Sequence, residues 1–452
     1  MNKILIKNIF LCACMDDGSR EIKDCDILIE GNRIKSIGKN IQEPADTIID
    51  GRYKIALPGF VNTHHHFYQT LTRVLPQVAD AKLFDWLIYL YRIWEHLSPE
   101  WVKVSTKLAV GELFLSGCTT SLDHYYVFPQ RSENLIDIEI DTARELGVRF
   151  HPTRGSMSLS VKDGGLPPDS VVQKDEEILK DTERLIKKYH DYKDFAMTRI
   201  VNAPCSPFSV STGIMKESIK FARKHRILSH THLAETVDEE NFCKEKFGDT
   251  PVKYMERVGW LGEDVLFAHC VHLSNDDMKL LGGTKSCVAH CPTSNLRLGS
   301  GIAPIRTLME NGATVSIGVD GSASNDSSNM LLEIRNAMMV ARVRTGVESM
   351  PARDAFYMAT RGGAKALGRS DIGELAPGKA ADIALFNCRD ISFGGTGDAL
   401  AALLFCGRDF TASDVICDGK IVVKNKQLQV FDEKEIWDEA GRIFRRDIAP
   451  NL

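Results

Sequence analysis

At 452 residues, the chain is long enough for one large domain, a smaller companion and a substantial buried core. Hydrophobic residues make up 43% and charged residues 26%, the balance of an ordinary soluble globular enzyme. A net charge of -5 gives no electrostatic basis for holding a polyanion, which sets nucleic acid aside as a partner.

The chain begins with a basic residue, an apolar run and a Leu-x-Ala-Cys ending at Cys14, a pattern that resembles a lipoprotein leader. Lys7 and Asn8 interrupt that run, so it predicts a first β-strand from Ile4 to Leu11 and no membrane association. Strands at 26–30 and 33–38, joined by the turn Gly31-Asn32, complete a small antiparallel pattern. The twelve cysteines, among them Cys118, Cys205, Cys270 and Cys287, sit mostly in apolar strand-like stretches without the spacing of a disulfide framework. They predict reduced thiols and a cytoplasmic location.

From about 56 to 370, short apolar strands alternate with helical segments, the pattern of βα units on a parallel sheet. Eight candidates are visible, at 55–63, 118–123, 148–153, 198–203, 227–231, 265–269, 286–290 and 314–319. They predict an α/β fold, a (β/α)8 barrel over 56–370. Strand patterns return at 381–386, 415–419 and 420–423, so segments 1–55 and 371–452 are expected to form one small β-sandwich domain from both chain ends. Residues 433–447, with Trp437 and Phe444, read as a terminal amphipathic helix that docks on this chain or on a partner.

In such a barrel the chemistry sits at the C-terminal strand ends. The first strand runs into Asn62-Thr63-His64-His65-His66, where alternation aims His64 and His66 at one point and turns His65 away. Later ends carry His232, His269 and Asp320, and Glu235 follows His232 by three residues. His64, His66, His232 and Asp320 offer imidazole nitrogens and a carboxylate, the ligand set of a catalytic divalent ion, zinc first with ferrous iron as the alternative. Such an ion lowers the pKa of bound water from about 15.7 towards about 7, giving a hydroxide nucleophile. Asp320 is then both ligand and acceptor of the water proton. Glu235 stands where a general acid/base belongs, and His269 where it can polarise the attacking oxygen.

These residues identify a family. Pro58-Gly59 with the histidine run, His232-Leu233-Ala234-Glu235-Thr236, Ala268-His269, Val319-Asp320-Gly321 and the segment from Gly373 to Asp382 resemble the amidohydrolase superfamily in its cytosine and guanine deaminase-like branch. The resemblance covers nearly the whole chain and implies a mononuclear metal-dependent deaminase, a homodimer built from a barrel and a terminal β-sandwich. A narrower likeness, carried by 66–73, 153–158, 162–168, 203–208 and 321–326, is to the 8-oxoguanine deaminases. It implies hydrolysis of a small purine-like base, 8-oxoguanine to urate and ammonia. Isocytosine, guanine, isoxanthopterin or a hydroxylated triazine are the alternative rings, and a non-catalytic assembly protein is the alternative class.

The adenosine-type members commonly carry histidine where this chain has Cys205, a departure that counts against adenosine-like substrates. Cys270 is bulkier than the small residue expected beside His269. Gln69, Arg154 and Cys205 are the expected ring contacts. Gln69 has both a donor and an acceptor for a lactam edge, while Arg154 could face a carbonyl or form a structural ion pair. The aromatic run from Phe84 to Trp94 lies where a lid would be, with a spacing that favours packing over base stacking.

Overall fold

The computed structural model describes residues 2–452. Eight parallel strands lie side by side in chain order: β6 (Phe60–Asn62), β7 (Cys118–Asp123), β8 (Arg149–Ser156), β9 (Val201–Pro204), β10 (Ser229–Leu233), β11 (Val265–His269), β12 (Cys287–His290) and β13 (Thr314–Ile317). Apart from Thr314, every residue of these strands is buried, as expected of a parallel sheet covered by its own crossover helices. Thr63 closes the ring: its N–H donates to the Ile317 carbonyl at 3.0 Å, and its hydroxyl lies 2.8 Å from that of Ser316. The expected (β/α)8 barrel is therefore present.

Both chain ends build a second, nine-stranded sheet. Its members are β1 (Lys3–Ala13), β2 (Glu21–Glu30), β3 (Arg33–Gly38), β4 (Thr47–Asp50), β5 (Lys54–Pro58), β14 (Ile383–Asn387), β15 (Asp414–Cys417), β16 (Lys420–Lys424) and β17 (Gln427–Leu428). The two ends meet where β5 pairs antiparallel with β14, Ile383 opposite Pro58. One face is packed with β-branched residues from both ends, including Ile4, Ile27, Ile29, Ile383 and Ile416.

Some sequence expectations change. The single strand expected over 55–63 is two strands in two different sheets, divided at Gly59. A β-carbon there would lie 2.2 Å from the Thr119 hydroxyl, so only glycine lets the chain pass from one sheet to the other at this point. The strand expected over 227–231 begins two residues later. Ile227 instead closes the helix Thr212–His225, its N–H donating to the Ala222 carbonyl at 3.0 Å while Arg226 takes φ 53°. Short β4 and β17 went unpredicted; four and two residues carry little periodicity.

The terminal helix Glu433–Ile443 continues through Phe444–Ile448 and docks on this chain, against the helix Pro99–Leu115. Ile436, Ile443 and Ile448 are buried, and Arg446 reaches Glu100 at 2.8 Å. Trp437 points outward, 74% exposed. Among the described residues, no helix is long and apolar enough to cross a membrane.

A buried ion cluster ties barrel to end sheet. Arg149, wholly buried at the start of β8, donates to both carboxylate oxygens of Asp382 at 3.0 and 3.3 Å and to Asp418 at 3.3 Å. Breaking such a pair strands an uncompensated charge, so Arg149→Ala is expected to lower stability by about 3–5 kcal/mol in urea unfolding. A loss under about 1 kcal/mol would show that water reaches this joint and the pair does not clamp the two sheets.

Candidate active site

The barrel mouth gathers the expected residues except Arg154. β6 ends at Asn62, so His64 and His66 lie in the extended segment just past the strand rather than within it. They still face inward. His65 turns away, its Nδ1 accepting from the His66 N–H and its Nε2 donating to the Ser328 hydroxyl at 2.9 Å.

Hydrogen bonds fix the tautomers of the inward rings. His66 Nδ1 lies 2.7 Å from the His124 carbonyl and His232 Nδ1 lies 2.6 Å from the Cys205 carbonyl. A carbonyl only accepts, so both Nδ1 atoms carry the proton and both Nε2 atoms carry a lone pair. His230 donates from Nδ1 to the Leu266 carbonyl, which leaves its Nε2 to accept from His64 Nδ1 at 2.8 Å. His64 Nε2 is therefore also a lone-pair donor, buried and without a partner. Burial lowers the pKa of His64, despite the opposing charge of Asp320, and of His232, so both rings are neutral.

The three Nε2 atoms converge. His66 and His232 bring theirs within 3.2 Å of each other, two lone pairs that cannot hydrogen-bond. Asp320 Oδ1 lies 3.3 Å from both His64 and His66 Nε2. Three aimed lone pairs and a carboxylate fit one divalent cation, with nitrogen and oxygen donors suited to zinc or iron.

The backbone makes this convergence costly and specific. Asp320 has φ 65° and His269 φ 73°, left-handed conformations uncommon for such residues. The Asp320 N–H donates to the His64 carbonyl at 3.0 Å, and the Asn62 side-chain oxygen accepts from Val319 N–H, so the first and last barrel strands hold each other's convergent side chains. Gly318 lets them approach: a β-carbon there would lie 2.6 Å from His64 Cβ.

Glu235 and His269 stand beside this cluster. Glu235 Oε2 is 3.5 Å from His269 Nε2, which is in turn 3.8 Å from Asp320 Oδ2. Burial, reinforced by the charge of Asp320, pushes Glu235 well above the usual carboxyl range. His269 Nδ1 meets the Asn295 side-chain oxygen at 2.9 Å, which turns Nε2 toward the site.

Gln69 and Cys205 line the same small cavity. Gln69 is buried in the turn Phe67–Thr72, its Oε1 without a partner. Burial pushes the Cys205 thiol up to about 12, so it is neutral. Arg154 does not line the cavity, which corrects the expectation that it could face the ring. Its side chain points to the covering helix Asp175–Tyr189, pairs with Asp181 at 2.6 Å and lies over the Phe128 ring. The aromatic run is the helix Leu83–Trp94; Tyr91 and Trp94 pack as expected, but Trp86 faces the cavity with Phe208 and Leu298.

His230, His124 and Asn295 were missed. His230 had a visible signal: it stands two residues before His232, so strand alternation puts both rings inside. His124 and Asn295 gave none, since their roles depend on contacts across the barrel.

A model of the amidohydrolase family matches residues 55–422. An 8-oxoguanine deaminase of Pseudomonas aeruginosa is 50% identical over 386 residues, covering 85% of this chain and 86% of that protein. An isoxanthopterin deaminase from an unknown prokaryotic organism is 34% identical over 449 residues, 95% of this chain and 93% of that one. Among solved structures, the atrazine chlorohydrolase of Arthrobacter aurescens complexed with zinc superposes with a TM-score of 0.93 at 32% identity, covering 97% of this chain and 99% of that chain.

If the convergent donors hold the ion, removing one must release it. Partners behind metal ligands are already worth about 10 to 100-fold in affinity, so Asp320→Ala is expected to lose more than about 100-fold. Metal analysis after dialysis checks this, and full occupancy in the variant would exclude Asp320 as a ligand.

Proposed function

The chain belongs to the amidohydrolase family and is a hydrolase acting on C–N bonds, and from that premise we propose that it deaminates 8-oxoguanine to urate and ammonia. The observation that carries this choice of ring is the likeness to the Pseudomonas aeruginosa enzyme, well above that to relatives acting on other rings. The cavity suits a flat heterocycle: Trp86, Phe208 and Leu298 supply apolar walls, and Gln69 supplies an unpartnered carbonyl oxygen beside an amide donor for a lactam edge.

His64, His66, His232 and Asp320 would hold one zinc ion, with ferrous iron fitting the same donors. When bound, the ion acts as a Lewis acid that makes water nucleophilic near neutral pH. Asp320 Oδ2, turned from the histidine pair toward His269, accepts the proton of the attacking water. Addition at the amino-bearing ring carbon gives a tetrahedral adduct. Amide anion is too poor a leaving group to depart from it. Glu235, its carboxyl pushed up by burial, delivers its proton to the ring nitrogen; as the adduct collapses to the carbonyl it takes the proton of the added hydroxyl and passes it to the exocyclic nitrogen, the C–N bond breaks, ammonia leaves, and the proton held by Asp320 restores Glu235. His269 Nε2, between Glu235 and Asp320, orients the attacking oxygen.

A cytoplasmic homodimer belongs to the same reading; all twelve cysteines are free thiols, which supports a reducing compartment. The isoxanthopterin relative, matched along nearly the whole chain, favours a pterin as the second choice.

Two measurements test this reading. Ammonia release from 8-oxoguanine, isoxanthopterin, guanine, isocytosine and a hydroxylated triazine is expected to give 8-oxoguanine the highest kcat/KM, and a higher value on any other ring replaces it as the substrate. Glu235→Gln is expected to keep its metal and lose about 10²- to 10⁴-fold in kcat, the range for a general acid/base; undiminished turnover would remove Glu235 from the chemistry.

A further inference from the structure

Glu235 lies in the short connection between β10 and the helix Val237–Phe247. Its carboxyl meets His269 at 3.5 Å, beyond a good hydrogen bond, so its aim is set by its backbone. That backbone is gripped from two sides. The Ala234 carbonyl accepts from the N–H groups of Val271 and His272, both at 2.9 Å. On the other side stands Glu239, fully buried in the first turn of the helix. Its Oε1 accepts from Ala234 N–H and its Oε2 from Glu235 N–H, each at 2.9 Å.

This is not ordinary helix capping. In a Thr-x-x-Glu box the glutamate bonds the N–H of the cap residue. Here the cap residue is Thr236, and Glu239 reaches past it to the two residues before, while Thr236 makes no side-chain cap bond. One carboxylate thus fixes the two peptide planes that lead into Glu235, across an Ala234 in the left-handed conformation at φ 52°. Without that second acceptor the strained residue could relax and swing the direction in which the Glu235 side chain leaves the chain.

We propose that Glu239 is a positioning residue for catalysis, its buried carboxylate holding the Ala234 and Glu235 peptides so that the Glu235 carboxyl points at the reacting ring. The inference rests on the role of Glu235 in the deaminase reading above. A residue serving only helix stability would lower the melting temperature and leave turnover per folded molecule untouched.

A double-mutant cycle separates the two roles. Glu239→Gln keeps the volume and one acceptor, and is expected to lose about 10-fold in kcat; Glu239→Ala, which keeps neither, about 100-fold, the effect of a misplacement near 1 Å. KM and metal content should stay within about twofold of wild type, because neither substrate contact nor ligand has changed. In a Glu235→Gln background the group being aimed is gone, so Glu239→Gln should change the residual rate by less than about twofold. Equal losses in both backgrounds, or wild-type kcat for Glu239→Gln, would overturn the positioning role, and the glutamine variant decides this even if the alanine variant does not fold. A Glu235→Gln enzyme that turns over normally would instead overturn the reading on which the inference stands.

Discussion

The site depends on three imidazoles whose protons are all committed elsewhere. His66 and His232 donate from Nδ1 to main-chain carbonyls, and His64 donates to His230, which is itself fixed by a carbonyl. Every donor proton is thereby turned away from the centre. Three lone pairs and one carboxylate then face a common point in a place where water is scarce. Without a cation, such an arrangement is repulsive, and two Nε2 atoms at 3.2 Å have no favourable contact to make. The partners behind the imidazoles therefore set where the lone pairs point as firmly as the ring positions do.

The rest of the barrel mouth accepts strain to keep this geometry. Asp320, His269 and Ala234 all occupy left-handed backbone conformations, each costing on the order of 1–3 kcal/mol, and each next to or part of the functional cluster. Cross-strand bonds hold them there. Asp320 is tied to His64 through its N–H, Ala234 to Val271, His272 and Glu239. Strain of this kind persists only where neighbours over-determine it. The large buried core of the barrel and the Arg149–Asp382 clamp provide the stability against which it is set.

The convergence of four side chains was legible because their residue types stand at strand ends: His-x-His after an apolar strand, His232 and Asp320 after two others. The barrel was legible from its eight alternating units. Strand limits were not, because Gly59 divides one apolar run between two sheets for a reason visible only in the contact with Thr119. Arg154 shows the limit for side chains. It sits near a strand end like the residues that line the cavity, yet alternation turns it outward, where Asp181 on the covering helix pairs with it. A one-residue difference in phase decides between cavity and packing layer. Trp86 erred the other way: helical spacing predicted packing, which holds for Tyr91 and Trp94, but the cavity wall is also made of packed residues. Glu239 left no signal, since its partners are backbone amides.

Whether these lone pairs share one cation decides the chemistry of the site. A crystal of the purified protein, with diffraction recorded at the absorption edge of its metal, tests it most directly. One anomalous peak is expected at about 2.0–2.2 Å from the Nε2 atoms of His64, His66 and His232 and from the Asp320 carboxylate. A peak centred instead on the neighbouring His64, His124 and His230 group, or Asp320 turned away from the peak, would contradict it.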